Sequence, residues 1–308
     1  MLILRKRSMT AVFICNTAEG RSRGETNLTM SIKLYPVKDL IPEKNIVIFS
    51  PHFDDVLFML GGYINELKEQ QLLSTKKFHI VIIFSRSNYL AGTGEGNFDN
   101  SLERVKLATG KRLMEDQNCN DELLGRFNYT YELLGEDECF TRGKSFAESE
   151  MEFPHGMFDD FNGDDIEIFR RMKKRIADWL MFPDIALVFP IAFKEHIDHF
   201  IVREAAIAVA NETGEERRAA IYFQEDKPYG GIADRTEIAR IKTFIEENTL
   251  EARTYACDPQ KVIDLAFKHY ISQVEDVYKT GILERSRILS GEMKTKDPCD
   301  RIYLLPKS

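Results

Sequence analysis

Short apolar runs, often β-branched, alternate with longer stretches of helical periodicity from Asn45 onward. Continuous apolar runs are typical of strands buried on both faces, whereas apolar positions three or four apart indicate amphipathic helices. The strands predicted in this way are Asn45–Ser50, Phe78–Ser85, Tyr129–Leu134, Ile185–Pro190 and Ala219–Gln224. The helices predicted between them are Asp55–Gln71, Ser101–Gln117, Asp164–Phe182 and Ile197–Glu212.

This alternation predicts an α/β fold, because a parallel sheet needs helices on both of its faces. We expect a Rossmann-like, doubly wound and mostly parallel sheet with the strand order 3-2-1-4-5. The pattern beyond Thr236 is mostly helical and ends in one more strand. The elements predicted there are the helices Thr236–Glu247, Pro259–Val277 and Leu283–Ser290 and the strand Ile302–Leu305. They form a helical C-terminal elaboration of the same domain.

The N-terminal residues lack this regular pattern. Basic residues precede a short apolar run over Thr10–Cys15, but the run is at the lower limit of length for a signal peptide and no small-residue cleavage pattern follows it. A polar, turn-rich segment leads to Met30, which is an alternative start. We therefore predict a poorly structured extension over residues 1–40 and a single domain over residues 41–308.

The composition is that of a globular protein. Of the 308 residues, 43% are hydrophobic and 11% aromatic, which is ample for a core and excludes collagen-like, coiled-coil and wholly disordered chains. Lys and Arg number 42 against 50 Asp and Glu, so the formal net charge is −8. This balance argues against a nucleic-acid partner, because the phosphate backbone requires a concentrated cationic face. The apolar runs are also too short for a transmembrane segment.

The cysteines predict a reducing compartment. The chain has five, and they are widely scattered, with no C-x-x-C pair. We therefore expect neither a zinc ribbon nor a dense disulfide framework. The expected location is cytoplasmic, and secretion is the minority alternative.

Two polar segments follow the first and the fourth predicted strands. Ser50-Pro51-His52-Phe53-Asp54-Asp55 comes directly after the first strand, and His196-Ile197-Asp198-His199 opens the helix after the fourth. In a doubly wound sheet these strands are neighbours at the point where the winding reverses, and ligands bind outside their carboxyl ends. We therefore expect the two segments to meet in one crevice. Their imidazole and carboxylate groups are ligands that a divalent metal such as zinc accepts.

These segments resemble the signature motifs of the LmbE/PIG-L family of zinc-dependent N-deacetylases, which remove acetyl from N-acetylglucosamine units in glycolipids, thiol precursors and antibiotics. The resemblance covers roughly residues 45–275. It extends to Gly61-Gly62, to Tyr222–Tyr229 and to Tyr270–Gln273. It implies the Rossmann-like fold described above and a site that binds zinc or another divalent metal.

The resemblance also implies a role for each polar residue of the two segments. The implied metal ligands are His52, Asp55 and His199. Asp54 would be the general base that takes a proton from water. His196 would stabilise the oxyanion or protonate the leaving amine, and Asp198 would orient a histidine. Three protein ligands leave a coordination position open, as catalytic zinc requires.

The chain departs from the family pattern at Phe53, Val56 and Ile197, where Pro, Glu and Pro are usual. None of the three positions carries an implied ligand, so we expect the metal site to be retained. The change at Val56 bears instead on loop order or on contacts with the sugar.

Further residues are candidates for contact with the substrate. They are Arg104, Asp159, Asp160 and Tyr229. Arg104 lies at the start of the second predicted helix, where a solvated helix charge is an equally good interpretation. Tyr229 would line the pocket or pack beside Pro228.

The sequence therefore predicts a metal-dependent hydrolase that removes an N-acetyl group from an amino sugar or sugar conjugate by means of an activated water. The expected partner is a small-molecule or glycoconjugate substrate that bears the N-acetyl sugar. Two alternatives stay open. Two histidines and one carboxylate also form the ligand set of iron enzymes that use oxygen. The change at Val56 would also fit a carbohydrate-binding relative that has lost turnover.

Overall fold

The computed structural model describes residues 33–92, 99–144 and 163–307. Within these ranges the strands form one seven-stranded sheet in the order β3-β2-β1-β4-β5-β7-β6. The strands are β1 (Asn45–Ser50), β2 (Lys77–Ile82), β3 (Tyr129–Leu133), β4 (Ile185–Pro190), β5 (Ala220–Gln224), β6 (Glu251–Ala256) and β7 (Cys299–Leu305). The predicted order 3-2-1-4-5 is confirmed.

The sheet is parallel from β3 to β5 and antiparallel at its other edge. β1 lies between β2 and β4 and runs parallel to both. β7 pairs antiparallel with β5 and with β6. The predicted final strand is thus present as β7, but β6 was not predicted. Its sequence alternates charged and small residues and lacks a continuous apolar run, which is typical of a half-buried edge strand.

Helices cover both faces of the sheet. In the described part of the chain they are α1 (Val37–Leu40), α2 (Asp55–Glu69), α3 (Leu102–Leu124), α4 (Gly163–Leu180), α5 (Ile197–Thr213), α6 (Tyr229–Ile232), α7 (Arg235–Glu247), α8 (Pro259–His269) and α9 (Asp276–Met293). None of these described helices is both long enough and apolar enough to cross a membrane.

The predicted helix Pro259–Val277 is wrong in its C-terminal half. α8 ends at His269, and α9 begins at Asp276 and continues through the region predicted as a separate helix. The break is stabilised by Glu115 of α3. Its carboxylate accepts hydrogen bonds from the backbone N–H and the hydroxyl of Ser272 at 3.0 and 2.6 Å. A long-range contact therefore ends the helix, which local periodicity does not show.

Successive side chains of β1 lie in two different cores, one on each face of the sheet. Ile46 and Ile48 lie in the core that α2 and α8 cover, whereas Val47 and Phe49 lie in the core under α4 and α5. Successive residues of a strand point to opposite faces, so a run of five buried residues requires cover on both sides.

The compact unit begins at Lys33, before the predicted boundary at residue 41. α1 buries Val37 and Leu40, which pack in the same core as α2. The backbone N–H of Tyr35 donates to the carbonyl of Thr254 in β6 at 2.8 Å. Residues 33–40 are therefore part of the domain, because their apolar side chains complete its core.

Candidate metal centre

The two polar segments meet at the carboxyl ends of β1 and β4. These strands pair in parallel, so their carboxyl ends lie at the same edge of the sheet. After β1 the hydroxyl of Ser50 donates to the carbonyl of His52 at 2.8 Å, and α2 begins at Asp55. After β4 a short turn leads to His196, which caps the N-terminus of α5.

Three donor atoms from these segments form a nearly equilateral triangle. His52 Nδ1 lies 3.3 Å from Asp55 Oδ2, and His199 Nε2 lies 3.2 Å from each of these two atoms. Tetrahedral zinc with ligand bonds of about 2.0–2.1 Å holds its ligand atoms about 3.3 Å apart. All three side chains are buried. The donor set therefore fits a divalent cation.

The second ring nitrogen of each histidine contacts a carboxylate. His52 Nε2 lies 2.9 Å from Asp198 Oδ2, and His199 Nδ1 lies 3.1 Å from Asp226 Oδ1. Such carboxylates fix the tautomer and the orientation of metal-binding imidazoles. Asp198 thus contacts a histidine, as expected, but Asp226 was not assigned. Its position directly after β5, the strand beside β4, is the signal that would have indicated it.

Both of these carboxylates are held in place. Asp198 Oδ2 accepts a hydrogen bond from the backbone N–H of Cys139 at 3.0 Å, and Asp198 Oδ1 lies 2.7 Å from Arg142 Nη2. Asp226 Oδ2 accepts from the backbone N–H of Phe193 at 2.7 Å. Burial alone would raise the pKa of Asp198, but Arg142 and His52 outweigh it and hold that pKa well below its usual range. Asp198 is therefore ionised beside His52.

The electrostatics of the centre favour a cation. Burial lowers the pKa of His52, but its hydrogen bonds to Asp198 and Asp55 outweigh burial and raise that pKa to about 9. The pKa of His199 is raised in the same way, by Asp55 and Asp226 against the effect of burial. The carboxylates that stabilise positive charge on these two buried imidazoles also favour the binding of a divalent cation. On binding, the cation replaces a proton on each imidazole.

Asp54 faces a different environment from its neighbour Asp55. Its Oδ1 lies 3.6 Å from Arg112 Nη2. Burial raises the pKa of Asp54 and the Asp55 carboxylate raises it further, while Arg112 opposes both. A buried carboxylate of raised pKa beside a metal centre is suited to accept a proton.

Arg112 of α3 is the cationic side chain that the structure places beside Asp54. Its Nε donates to Gln273 Oε1 and its Nη1 to Glu138 Oε2, each at 2.7 Å. The Nε of the predicted Arg104 instead donates to the carbonyl of Asn88 at 2.8 Å. Arg112 was not predicted as part of the site, because its side chain contacts residues from distant parts of the chain.

His196 lies against both metal-centre histidines, with ring centroids 5.0 Å from His52 and 5.1 Å from His199. Its Nδ1 accepts a hydrogen bond from the backbone N–H of Asp198 at 3.2 Å. A ring that accepts at Nδ1 is neutral and carries its proton on Nε2. His196 is thus able to donate a hydrogen bond from Nε2.

These side chains line one cavity of about 250 Å³. Its charged and imidazole groups are His52, Asp54, Asp55, Arg112, Glu138, His196, His199, Lys227 and Glu275. Its other lining residues are Phe58, Tyr89, Cys139, Phe140, Pro228, Tyr229, Ile232, Val277 and Tyr278. Tyr229 therefore lies in the cavity wall, with its ring centroid 6.4 Å from that of His199. Arg104 is not part of this lining, and Asp159 and Asp160 lie outside the described residues.

No protein-family model matches this chain, and no curated protein sequence matches it. Solved structures do resemble it. The zinc-inhibited form of teicoplanin deacetylase Orf2 has a TM-score of 0.60 at 15% identity, covering 86% of this chain and 98% of that one. The deacetylase Dbv21, which acts on the A40926 pseudoaglycone, has a TM-score of 0.56 at 14% identity, covering 86% and 99%.

A third similar structure is the N,N′-diacetylchitobiose deacetylase from Pyrococcus horikoshii in complex with an inhibitor. Its TM-score is 0.50 at 15% identity, and the match covers 89% of this chain and 88% of that one. At these identities the likeness establishes a shared fold, and it extends over nearly the whole length of each neighbour.

Proposed function

Because this chain has the fold of LmbE/PIG-L-type deacetylases, we propose that it is a metal-dependent hydrolase that removes the N-acetyl group from an amino sugar or a sugar conjugate. One observation carries the proposal. The donor atoms of His52, Asp55 and His199 lie 3.2 to 3.3 Å apart, beside the additional buried carboxylate of Asp54.

His52, Asp55 and His199 would hold the cation. When bound there, a divalent cation polarises a carbonyl oxygen and lowers the pKa of a water to about 7. Zinc is the metal we propose, because two imidazoles and one carboxylate form one of its catalytic ligand sets. Asp198 and Asp226 would orient the two imidazoles from behind.

Asp54 would accept a proton from the water that attacks the acetyl carbonyl carbon. The Nε2–H of His196 would donate a hydrogen bond to the oxygen on which negative charge develops. This role fits the ring because its Nδ1 accepts a hydrogen bond and its proton is therefore on Nε2. The C–N bond then breaks, and the proton held by Asp54 passes to the leaving nitrogen. The products are acetate and the free amine.

The test is acetate release from a panel of N-acetylated sugars and glycoconjugates. We expect activity to be lost when the metal is removed with a chelator and to return with Zn²⁺. Asp54→Asn should lower kcat by about 100-fold to 10,000-fold, because a general base is lost, and should leave the zinc content unchanged. Full activity of Asp54→Asn on the best substrate would contradict the mechanism. Iron bound by the purified protein, with oxygen-dependent turnover, would favour the iron alternative.

A further inference from the structure

We propose that Arg142 is a positioning residue of the metal centre. It holds the Asp198 carboxylate in the orientation that contacts His52 Nε2, and through Asp198 it raises the affinity of His52 for the cation. Arg142 lies between β3 and α4, outside both polar segments that carry the centre. The inference rests on the proposed function, because it adds to the proposed metal site a residue that supports one of its ligands from behind.

The two oxygens of Asp198 have different partners. Oδ2 lies 2.9 Å from His52 Nε2 and accepts a hydrogen bond from the backbone N–H of Cys139 at 3.0 Å. Oδ1 is buried and accepts no well-aligned hydrogen bond from the described residues, but it lies 2.7 Å from Arg142 Nη2. The ion pair with Arg142 therefore compensates the charge on Oδ1 and keeps the carboxylate from rotating away from His52.

Arg142 is itself fixed by further contacts. Its Nε and Nη2 donate to Asp165 Oδ1 of α4 at 3.2 and 3.0 Å, and its Nη1 donates to the carbonyl of Asp137 at 2.6 Å. The guanidinium carbon also lies 5.1 Å from the centre of the Phe84 ring. Because all three guanidinium nitrogens are engaged, the planar group is held in one orientation, with Nη2 beside Asp198.

Loss of Arg142 would leave the Asp198 carboxylate buried without a cation on its Oδ1 side. An ionised carboxylate in that state is strongly destabilised, so it must reorient or admit water. Either change removes the fixed partner of His52 Nε2, and the imidazole then loses the orientation that directs Nδ1 at the metal position. Arg142 thus acts on the metal through two intervening side chains.

The alternative is that Arg142 only ties its segment to α4 through Asp165. Lys144 separates the two roles, because it lies on the same segment and its Nζ is 3.1 Å from Asp165 Oδ2. The side chains of Arg142 and Lys144 are equally buried, each 5% exposed. Lys144 shares the tie to α4 but makes no ion pair with Asp198, so Lys144→Met is the matched control.

The experiment measures the zinc dissociation constant of the full chain by competition with a chromophoric chelator. It also records the visible spectrum of the Co²⁺-substituted protein, whose d–d bands report the ligand geometry. Arg142→Gln is expected to weaken zinc binding by about 10-fold to 100-fold and to shift the cobalt bands. Arg142→Lys keeps the charge but lacks the rigid fork that reaches two carboxylates, so it should weaken zinc binding by about threefold to tenfold.

Lys144→Met should bind zinc like the wild type and give the wild-type cobalt spectrum, although its loss of a buried ion pair lowers the urea midpoint of unfolding. Wild-type zinc affinity in either Arg142 variant would overturn the positioning role. An equal loss of zinc affinity in Lys144→Met and Arg142→Gln would overturn it too. If Arg142→Gln does not fold, Arg142→Lys and Lys144→Met decide the question.

The proposed function can fail separately, because zinc and cobalt binding need no substrate. A wild type that binds zinc but releases no acetate from any N-acetylated sugar disproves the deacetylase proposal, and the variants of Arg142 still decide the positioning role. A wild type that binds neither ion disproves both proposals.

Discussion

Gly231 and Gly281 hold α6 and α9 in backbone contact, and a β-carbon on Gly231 would lie 1.8 Å from the carbonyl oxygen of Gly281. The obstructing atom belongs to the backbone, so no side-chain rotation relieves the clash. Tyr229, in the same short helix, borders the metal centre. The spacing of two helices thus decides where part of the catalytic cavity lies.

Gly231→Ala is expected to lower the free energy of unfolding by about 3 kcal/mol, because the added methyl group must force the two helices apart. Urea unfolding monitored by circular dichroism measures this. Gly291→Ala on α9 is the control, since a β-carbon there meets nothing within 4 Å. That variant should be neutral or slightly more stable, as alanine favours a helix over glycine. Equal effects of the two substitutions would contradict the close contact.

Asp226→Asn is expected to weaken zinc binding by about 10-fold to 100-fold, because His199 loses the charged partner of its Nδ1. Competition with a chromophoric chelator measures the dissociation constant. Asp264→Asn, which changes an exposed carboxylate of α8, should bind zinc like the wild type. Unchanged affinity in Asp226→Asn would show that this carboxylate does not support the metal ligand.

Two variants of His196 separate its two predicted roles. His196→Ala is expected to lower kcat by about 100-fold to 1000-fold, as the loss of an oxyanion donor does. His196→Gln keeps an N–H donor but cannot transfer a proton to the amine, so it should retain more activity than His196→Ala. The zinc content of both variants should match the wild type. Equal kcat for the two variants would favour the acid role instead.

Asp116 is expected to make the stability of the fold dependent on pH. Burial raises the pKa of Asp116 to about 8, although Tyr131 and Tyr270 donate hydrogen bonds to its carboxyl group. In the unfolded chain this pKa is about 3.9. Because the folded value is the higher one, the stabilisation is complete below about pH 4 and is lost as the pH rises towards 8.

The free energy of unfolding should therefore fall by roughly 3 kcal/mol more in the wild type than in Asp116→Asn between pH 5 and pH 7. Urea unfolding at both pH values checks this. Asp178→Asn, at an exposed position of α4, should keep the pH dependence of the wild type. Parallel pH profiles for the wild type and Asp116→Asn would show that this carboxyl group is ionised in the folded protein.

The strands that carry the centre were predicted with their observed bounds. β1 and β4 are continuous apolar runs, and polar residues or proline mark their ends, so burial on both faces is evident from the sequence. The order of the strands then follows from the rules of doubly wound sheets. The convergence of His52, Asp55 and His199 was predictable for this reason, because each lies just after one of these strands.

Arg112 and Asp226 were not predicted as parts of the site, although Arg112 lies in a predicted helix and Asp226 lies shortly after a predicted strand. Arg112 contacts Glu138 and Gln273, which lie 26 and 161 residues further along the chain than Arg112. Helical periodicity places Arg112 on a face of α3 but does not say which polar groups that face meets. Asp226 follows β5, and its contact with His199 depends on the pairing of β5 with β4.

The sequence alone determined the wound sheet and the polar residues at its switch point, because apolar runs and strand-end motifs are local features. Only the tertiary structure decided what surrounds those residues. The position of Tyr229 beside His199 depends on the contact between Gly231 and Gly281, and the surroundings of Asp54 depend on the packing of α3. These contacts join residues far apart in the chain, and their geometry is set by how whole helices pack.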